Sequence, residues 1–107
     1  MSPLALSPGE MEQIRSVFRR HPEVTAVRLF GSRAKGTHRP QSDLDLAVWG
    51  NVDALGAQAI AAELDELPLP YHYDVLPFAA IQLQALRDHI ERVGIEVFSA
   101  ADPVPFV

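Results

Sequence analysis

The chain has 107 residues, of which 48% are hydrophobic and 21% charged, so one folded domain is expected rather than a disordered segment. Nine Lys and Arg against fourteen Asp and Glu give a formal net charge of −5, which argues against general nucleic-acid binding because such binding depends on neutralising phosphates. The absence of cysteine excludes disulfides, thiolate metal sites and a cysteine nucleophile. No apolar run is long enough to cross a membrane and no charged leader precedes an apolar stretch, so neither a membrane span nor a signal peptide is expected. A cytoplasmic location is expected, which the lack of cysteine fits.

The chain begins with a predicted helix. Ser7, Pro8 and Glu10 match a helix start, with a capping residue, a proline at the first helical position and a capping-box glutamate. The helix is expected to end near Arg20. Its inward-facing residues are predicted to be Met11, Ile14, Val17 and Phe18.

The remaining elements are predicted from β-branched runs, helix caps and breakers. In chain order we expect a strand at Val24–Phe30, a turn opening a short helix at Gly31–Gly36, a strand at Leu44–Trp49, a helix from Asp53 to about Leu67, a strand at Tyr71–Leu76, a helix at Ala79–Val93 and a short strand at Ile95–Phe98. In the helix that follows Asp53, the residues expected to face inward are Leu55, Ile60 and Leu64. The result is an α+β domain with a small mixed sheet and helices packed on it.

A phosphate-binding loop is predicted where the first strand ends. Gly31 and Ser32 follow the strand; glycine lets a phosphate approach the backbone, and the serine hydroxyl and free N–H groups can hold its oxygens. Residues 24–42 contain no acidic residue and four basic ones, Arg28, Arg33, Lys35 and Arg39. Of these, Arg33 and Lys35 are placed to meet a triphosphate. The spacing of Gly31 and Gly36 also fits the start of a P-loop, but the lysine that this motif requires is missing.

Three aspartates form a predicted metal site. Asp43 and Asp45 are two residues apart on a strand, so alternation places both carboxylates on one face. They would repel each other unless a cation lies between them, and Mg²⁺ is the natural occupant. Asp74 is the third expected ligand, because a carboxylate inside a predicted strand is unfavourable without a partner. Two Mg²⁺ ions at these carboxylates would attract a triphosphate and clamp the attacking and leaving oxygens of a displacement at phosphorus.

The combination of Gly31-Ser32, a second glycine five residues later and Ser42-Asp-x-Asp-Leu resembles the signature of the nucleotidyltransferase superfamily with the DNA polymerase β-type fold. The match covers roughly residues 24–98 of a single domain spanning 1–107. Its size resembles the minimal bacterial branch, the MntA-like antitoxins paired with HEPN-domain toxins. The resemblance implies that Gly31 and Ser32 bind the phosphates and that Asp43, Asp45 and Asp74 serve in catalysis and bind the metal. Arg33, Lys35 and Ser42 complete the predicted nucleotide-binding residues.

The same resemblance implies a reaction, in which AMP passes from ATP to a hydroxyl, commonly a tyrosine of the HEPN partner. Asp74 then also helps to activate the acceptor hydroxyl. Larger members carry a further substrate-binding domain; none is expected here from the length of the sequence, and this expectation favours a protein acceptor. Two alternatives stay open: a non-catalytic antitoxin that neutralises a HEPN partner by binding alone, and a nucleotidyltransferase that acts on a small molecule such as an antibiotic.

Overall fold

A computed structural model describes residues 7–31 and 44–100 of the protein. These residues form a four-stranded sheet with strands β1 (Val24–Phe30), β2 (Leu44–Gly50), β3 (Tyr73–Pro77) and β4 (Ile95–Ser99). The helices among them are α1 (Pro8–Arg19), α2 (Ala54–Asp65) and α3 (Gln84–Val93), with a 3₁₀ turn at Phe78–Ala80. None of the helices in this part of the chain is long and apolar enough to span a membrane.

The sheet is mixed, with the strand order β3-β2-β1-β4. β1 runs antiparallel to both β2 and β4, whereas β2 and β3 are parallel. Parallel neighbours need a crossover connection, and α2 supplies it. This arrangement confirms the predicted α+β domain with a small mixed sheet and helices packed on it.

The start of α1 confirms the predicted capping residues. Ser7 Oγ accepts a hydrogen bond from Glu10 N at 3.1 Å, and the Glu10 carboxylate accepts one from Ser7 N at 3.0 Å. Pro8 lies in the first turn, where its missing N–H removes no helical hydrogen bond. The buried residues of the helix are those expected from the sequence, Met11, Ile14, Val17 and Phe18.

The helix α2 begins at its predicted cap but buries a different set of residues. Asp53 caps it by accepting a backbone hydrogen bond at 2.8 Å. Ile60 and Leu64 are fully buried, but Leu55 is 75% exposed, so the prediction that Leu55 faces inward is wrong. Residues three or four apart share a helix face, and Ala57, three residues before Ile60, takes the inward position instead.

The helix α3 begins later than the sequence predicts. The helix expected at Ala79–Val93 starts only at Gln84, after a 3₁₀ turn and extended backbone. Arg87 Nη1 donates to the carbonyl oxygens of Phe78 and Ile81 at 3.0 Å each. The Phe78 carbonyl also accepts a hydrogen bond from Ile81 N at 3.1 Å, so both carbonyls have partners without an α-helical N–H. Arg87 therefore stabilises an interruption that hydrophobic periodicity does not encode.

The strands divide their side chains between the two faces of the sheet. One face holds the larger apolar core, in which α1 and α2 pack against residues such as Leu46 and Val75. The other face carries a smaller apolar cluster that includes Phe30, Ala47 and Ile90 of α3. This second side, called the α3 face from here on, is the one on which the predicted carboxylates of β2 and β3 lie, because side chains alternate along a strand.

Candidate functional site

Asp45 and Asp74 lie side by side at one end of the α3 face. They occupy paired positions on the parallel strands β2 and β3, and paired positions share a face on strands about 4.8 Å apart. Asp45 also pairs with Phe30 at the end of β1, so both aspartates lie where β1 ends and where β2 and β3 begin. The structure brings together two of the three predicted carboxylates.

The two carboxylates differ in their surroundings. Asp74 is exposed, whereas Asp45 is half-buried. Gly31 follows β1 directly and has a φ of +80°. A Cβ atom built on Gly31 would lie only 2.3 Å from Oδ2 of Asp45. The turn after β1 therefore approaches the Asp45 carboxylate closely, and Asp74 is the more exposed of the two.

Five of the predicted site residues lie outside the described residues: Ser32, Arg33, Lys35, Ser42 and Asp43. They belong to the segment 32–43, which connects Gly31 to Leu44. Both of these flanking residues lie at the same end of the sheet as Asp45.

The described carboxylates suit a hard divalent cation. Carboxylate oxygens are ligands that Mg²⁺ prefers, and the exposure of Asp74 gives an ion access. Within residues 7–31 and 44–100, no group of three or more His, Asp or Glu side chains is arranged to hold a metal ion. Asp43, the third predicted ligand, lies outside that part of the chain. Asp45 and Asp74 therefore supply ligands of the type that fits Mg²⁺.

A stack of aromatic and cationic side chains continues the α3 face away from the aspartates. Trp49 stacks on Phe78, with ring centroids 4.3 Å apart and planes at 19°. The guanidinium of Arg87 lies 4.3 Å from the Phe78 ring, and that of Arg28 lies 5.4 Å from the Trp49 ring. The sequence prediction did not group these side chains, although alternation along β2 puts Trp49 on the face of Asp45. The stack holds the 3₁₀ turn and α3 against the sheet.

A cleft of about 470 Å³ opens beside this stack. It is lined by Thr25, Ala26, Arg28, Trp49, Glu91 and Glu96. Arg28 Nη1 donates to the Glu91 carbonyl oxygen at 3.3 Å, so the guanidinium bridges β1 and α3. Trp49 is four residues from Asp45 along β2, roughly 13 Å at the rise of a strand. The cleft is therefore separate from the pair of aspartates.

Tyr73 is a buried polar residue next to the site. It precedes Asp74 in β3, so its side chain lies on the opposite face and joins the larger core. Its hydroxyl makes no hydrogen bond to any described residue. Burial raises the pKa of Tyr73 to about 12, and the neighbouring Tyr71, Asp65 and Glu10 act in the same direction.

Tyr73→Phe is expected to raise the free energy of unfolding by about 1 kcal/mol near neutral pH, because the buried hydroxyl loses its hydration without gaining a partner. The raised pKa means that the folded state favours the neutral phenol. The free energy that this preference contributes to the stability of the wild type is fully present below pH 10 and is lost as the pH rises towards 12. Urea unfolding of both proteins at pH 7 and pH 11 measures the two effects. If Tyr73→Phe is less stable than the wild type at pH 7, the Tyr73 hydroxyl must have a stabilising partner, and the prediction is wrong.

The chain matches one protein family over most of its length. The family described as "Polymerase beta, Nucleotidyltransferase" matches residues 12–102. The protein belongs to this nucleotidyltransferase family, which confirms the resemblance seen in the sequence. The matched region contains all four strands and the residues Gly31, Asp45 and Asp74. No curated protein sequence matches the chain.

Solved structures of the same fold include toxin–antitoxin complexes. A toxin–antitoxin structure with AMP-PNP has a TM-score of 0.70 at 20% identity, covering 90% of this chain and 76% of that one. The MntA–HepT toxin–antitoxin structure has a TM-score of 0.66 at 19% identity, covering 87% and 73%. A tri-AMPylated Shewanella oneidensis HEPN toxin in complex with MNT antitoxin has a TM-score of 0.65 at 19% identity, covering 84% and 70%. At these identities the likeness establishes a shared fold.

Proposed function

We propose that this protein transfers AMP from ATP to a hydroxyl group on a partner protein, as the antitoxin of a HEPN toxin–antitoxin pair in the cytoplasm. The observation that carries the proposal is the pairing of Asp45 with Asp74 at one end of the α3 face, in a chain of the nucleotidyltransferase family. Proteins of the same fold add support. One is an MNT antitoxin in complex with a tri-AMPylated HEPN toxin, and another structure holds AMP-PNP.

In this proposal Asp45 and Asp74 hold Mg²⁺ together with Asp43. When bound, Mg²⁺ neutralises phosphate charge and polarises the phosphoryl oxygens. Asp45 lies on β2 between β1 and β3, whereas Asp74 is exposed on the edge strand β3. We therefore assign Asp74 to the side that the acceptor approaches and Asp45 to the side of the nucleotide.

The chemical step is a substitution at phosphorus. The acceptor oxygen forms a bond to the α-phosphorus of ATP while the bond from that phosphorus to the α,β-bridging oxygen breaks, and pyrophosphate leaves. The hydroxyl proton passes to a carboxylate oxygen of Asp74. Gly31 and Ser32 bind the β- and γ-phosphates, while Arg33 and Lys35 add positive charge around them.

Labelled ATP tests the proposal directly. The protein, a purified HEPN-domain partner from the same host, Mg²⁺ and ATP labelled at the α-phosphate are expected to give a labelled partner. EDTA should reduce the labelling to background, because carboxylates without a cation repel a triphosphate. ATP labelled at the γ-phosphate should label nothing, because that label leaves with pyrophosphate.

Two outcomes would contradict transfer to a protein, and each favours a different alternative. A stable complex with the HEPN partner that carries no α-label, with or without Mg²⁺, would favour an antitoxin that acts by binding alone. Label that appears instead in a small-molecule product other than AMP would favour a small-molecule acceptor. A γ-labelled partner would indicate phosphorylation rather than transfer of AMP.

A further inference from the structure

We propose that Gly31 is a positioning residue for Asp45: the missing side chain at Gly31 leaves the space that the Asp45 carboxylate occupies against the turn after β1. The contact is a property of the fold, whereas its consequence for metal binding rests on the proposed function. This role differs from the phosphate contact expected of Gly31 from the sequence. In this proposal Gly31 has two roles: it makes room for the Asp45 carboxylate, and it lets the nucleotide phosphates approach the backbone.

Three distances define the contact. A Cβ atom on Gly31 would lie 2.3 Å from Oδ2, 3.2 Å from Cγ and 3.5 Å from Cβ of Asp45. Non-bonded heavy atoms are most favourable at about 3.5–4.0 Å, so the first distance is a severe overlap and the last an ordinary contact. The approach follows from the register, because Phe30 pairs with Asp45 and Gly31 is the next residue.

Asp45 is the group that would move if Gly31 gained a side chain. Its Oδ2 atom is the far end of a side chain that rotates about two torsions. Gly31, in contrast, is backbone at the end of β1, a central strand with hydrogen-bonded neighbours on both sides. Rotating the carboxylate away from the turn relieves the overlap at some cost in stability, because the carboxylate leaves its present position, and it leaves the strands in place. A side chain at Gly31 would therefore displace the carboxylate from its present position while the fold persists.

The backbone gives a second, independent reason for glycine at this position. The φ of +80° at Gly31 disfavours any residue with a Cβ atom, whatever stands at position 45. The two reasons predict a different dependence of the Gly31→Ala effect on the side chain at position 45. The backbone effect does not depend on Asp45, whereas the steric contact disappears when the Asp45 side chain is shortened.

Three variants separate these effects by thermal unfolding: Gly31→Ala, Asp45→Ala and the double variant. Asp45→Ala removes Oδ2 and Cγ but keeps the Cβ atom at its ordinary distance. In the Asp45→Ala background only the backbone effect remains, and Gly31→Ala should lower the Tm by about 4–8 °C. In the wild-type background the loss should be larger. Equal losses in both backgrounds overturn the proposal. If Gly31→Ala alone does not fold, a folded double variant supports the contact and an unfolded one contradicts it.

Mn²⁺ binding without nucleotide tests the consequence for the site. Electron paramagnetic resonance of free Mn²⁺ should show that Gly31→Ala weakens binding by at least about tenfold, as displaced supporting contacts do at other metal sites. Unchanged Mn²⁺ affinity in a folded Gly31→Ala variant would overturn the positioning role. If the wild type binds no Mn²⁺, the proposed function fails, and the Tm comparison still decides whether Gly31 and Asp45 are in contact.

Discussion

Asp45→Asn is expected to reduce AMP transfer by at least about a hundredfold while the protein stays folded. The substitution keeps the size and shape of the side chain but removes its charge and one of its two acceptor oxygens. Asp45 pairs directly with Asp74, so the charge and the oxygen are lost at the proposed metal site that the two residues share. The initial rate of α-label transfer to the HEPN partner at saturating ATP measures the effect.

Asp65→Asn is the matched control for this experiment. Asp65 is the exposed last residue of α2, a helix that packs on the opposite side of the sheet, and the change removes the same charge. Its transfer rate should stay within about twofold of the wild type, because surface changes away from a site have small effects. Circular dichroism and urea unfolding establish that both variants are folded. A folded Asp45→Asn protein with the wild-type rate would remove Asp45 from the chemistry and contradict the proposed site.

Local signals are sufficient to predict β1 and the start of α1. The capping box of Ser7 and Glu10 and the β-branched run Val24–Phe30 act over a few residues, so their effect is visible in the sequence. The start of α3 depends on a contact of another kind. Arg87 reaches back to the carbonyl oxygen of Phe78, and this bond between a side chain and a preceding turn overrides the helical periodicity of the residues between them.

The arrangement of the site depends on long-range pairing. Asp45 and Asp74 are separated by α2, and their adjacency follows from the parallel register of β2 and β3. Local patterns do not specify such a register; Asp74 was expected at the site because of the family resemblance and because a carboxylate in a strand needs a partner. The contact between Gly31 and Asp45 is even harder to predict from the sequence than the pairing of Asp45 with Asp74. It depends on a backbone torsion and a side-chain torsion that meet only in the folded protein.

Gly50→Ala is expected to lower the free energy of unfolding by about 3 kcal/mol or more, out of a total of about 5–15 kcal/mol for a domain. Gly50 ends β2 with a φ of +125°. A Cβ atom there would lie 2.1 Å from the carbonyl oxygen of Glu23 and 3.0 Å from the backbone nitrogen of Thr25. Both are backbone atoms beside the first residues of β1, so no side-chain rotation can relieve the overlap. Urea unfolding monitored by circular dichroism measures the change.

Gly9→Ala is the control with the opposite expected sign. Gly9 lies in the first turn of α1, and a Cβ atom there would meet only Ser7 Oγ, at 3.9 Å. Alanine favours a helix over glycine by up to about 1 kcal/mol, so the same chemical change should stabilise the protein at Gly9 and destabilise it at Gly50. Gly50 and Asp45 lie on the same strand, but the pairing of β1 with β2 shifts register between Val24 and Ala26, next to Gly50, so the effect at Gly50 concerns the pairing at that end of β2. A Gly50→Ala protein as stable as the wild type would contradict the close approach of Gly50 to the backbone of Glu23 and Thr25.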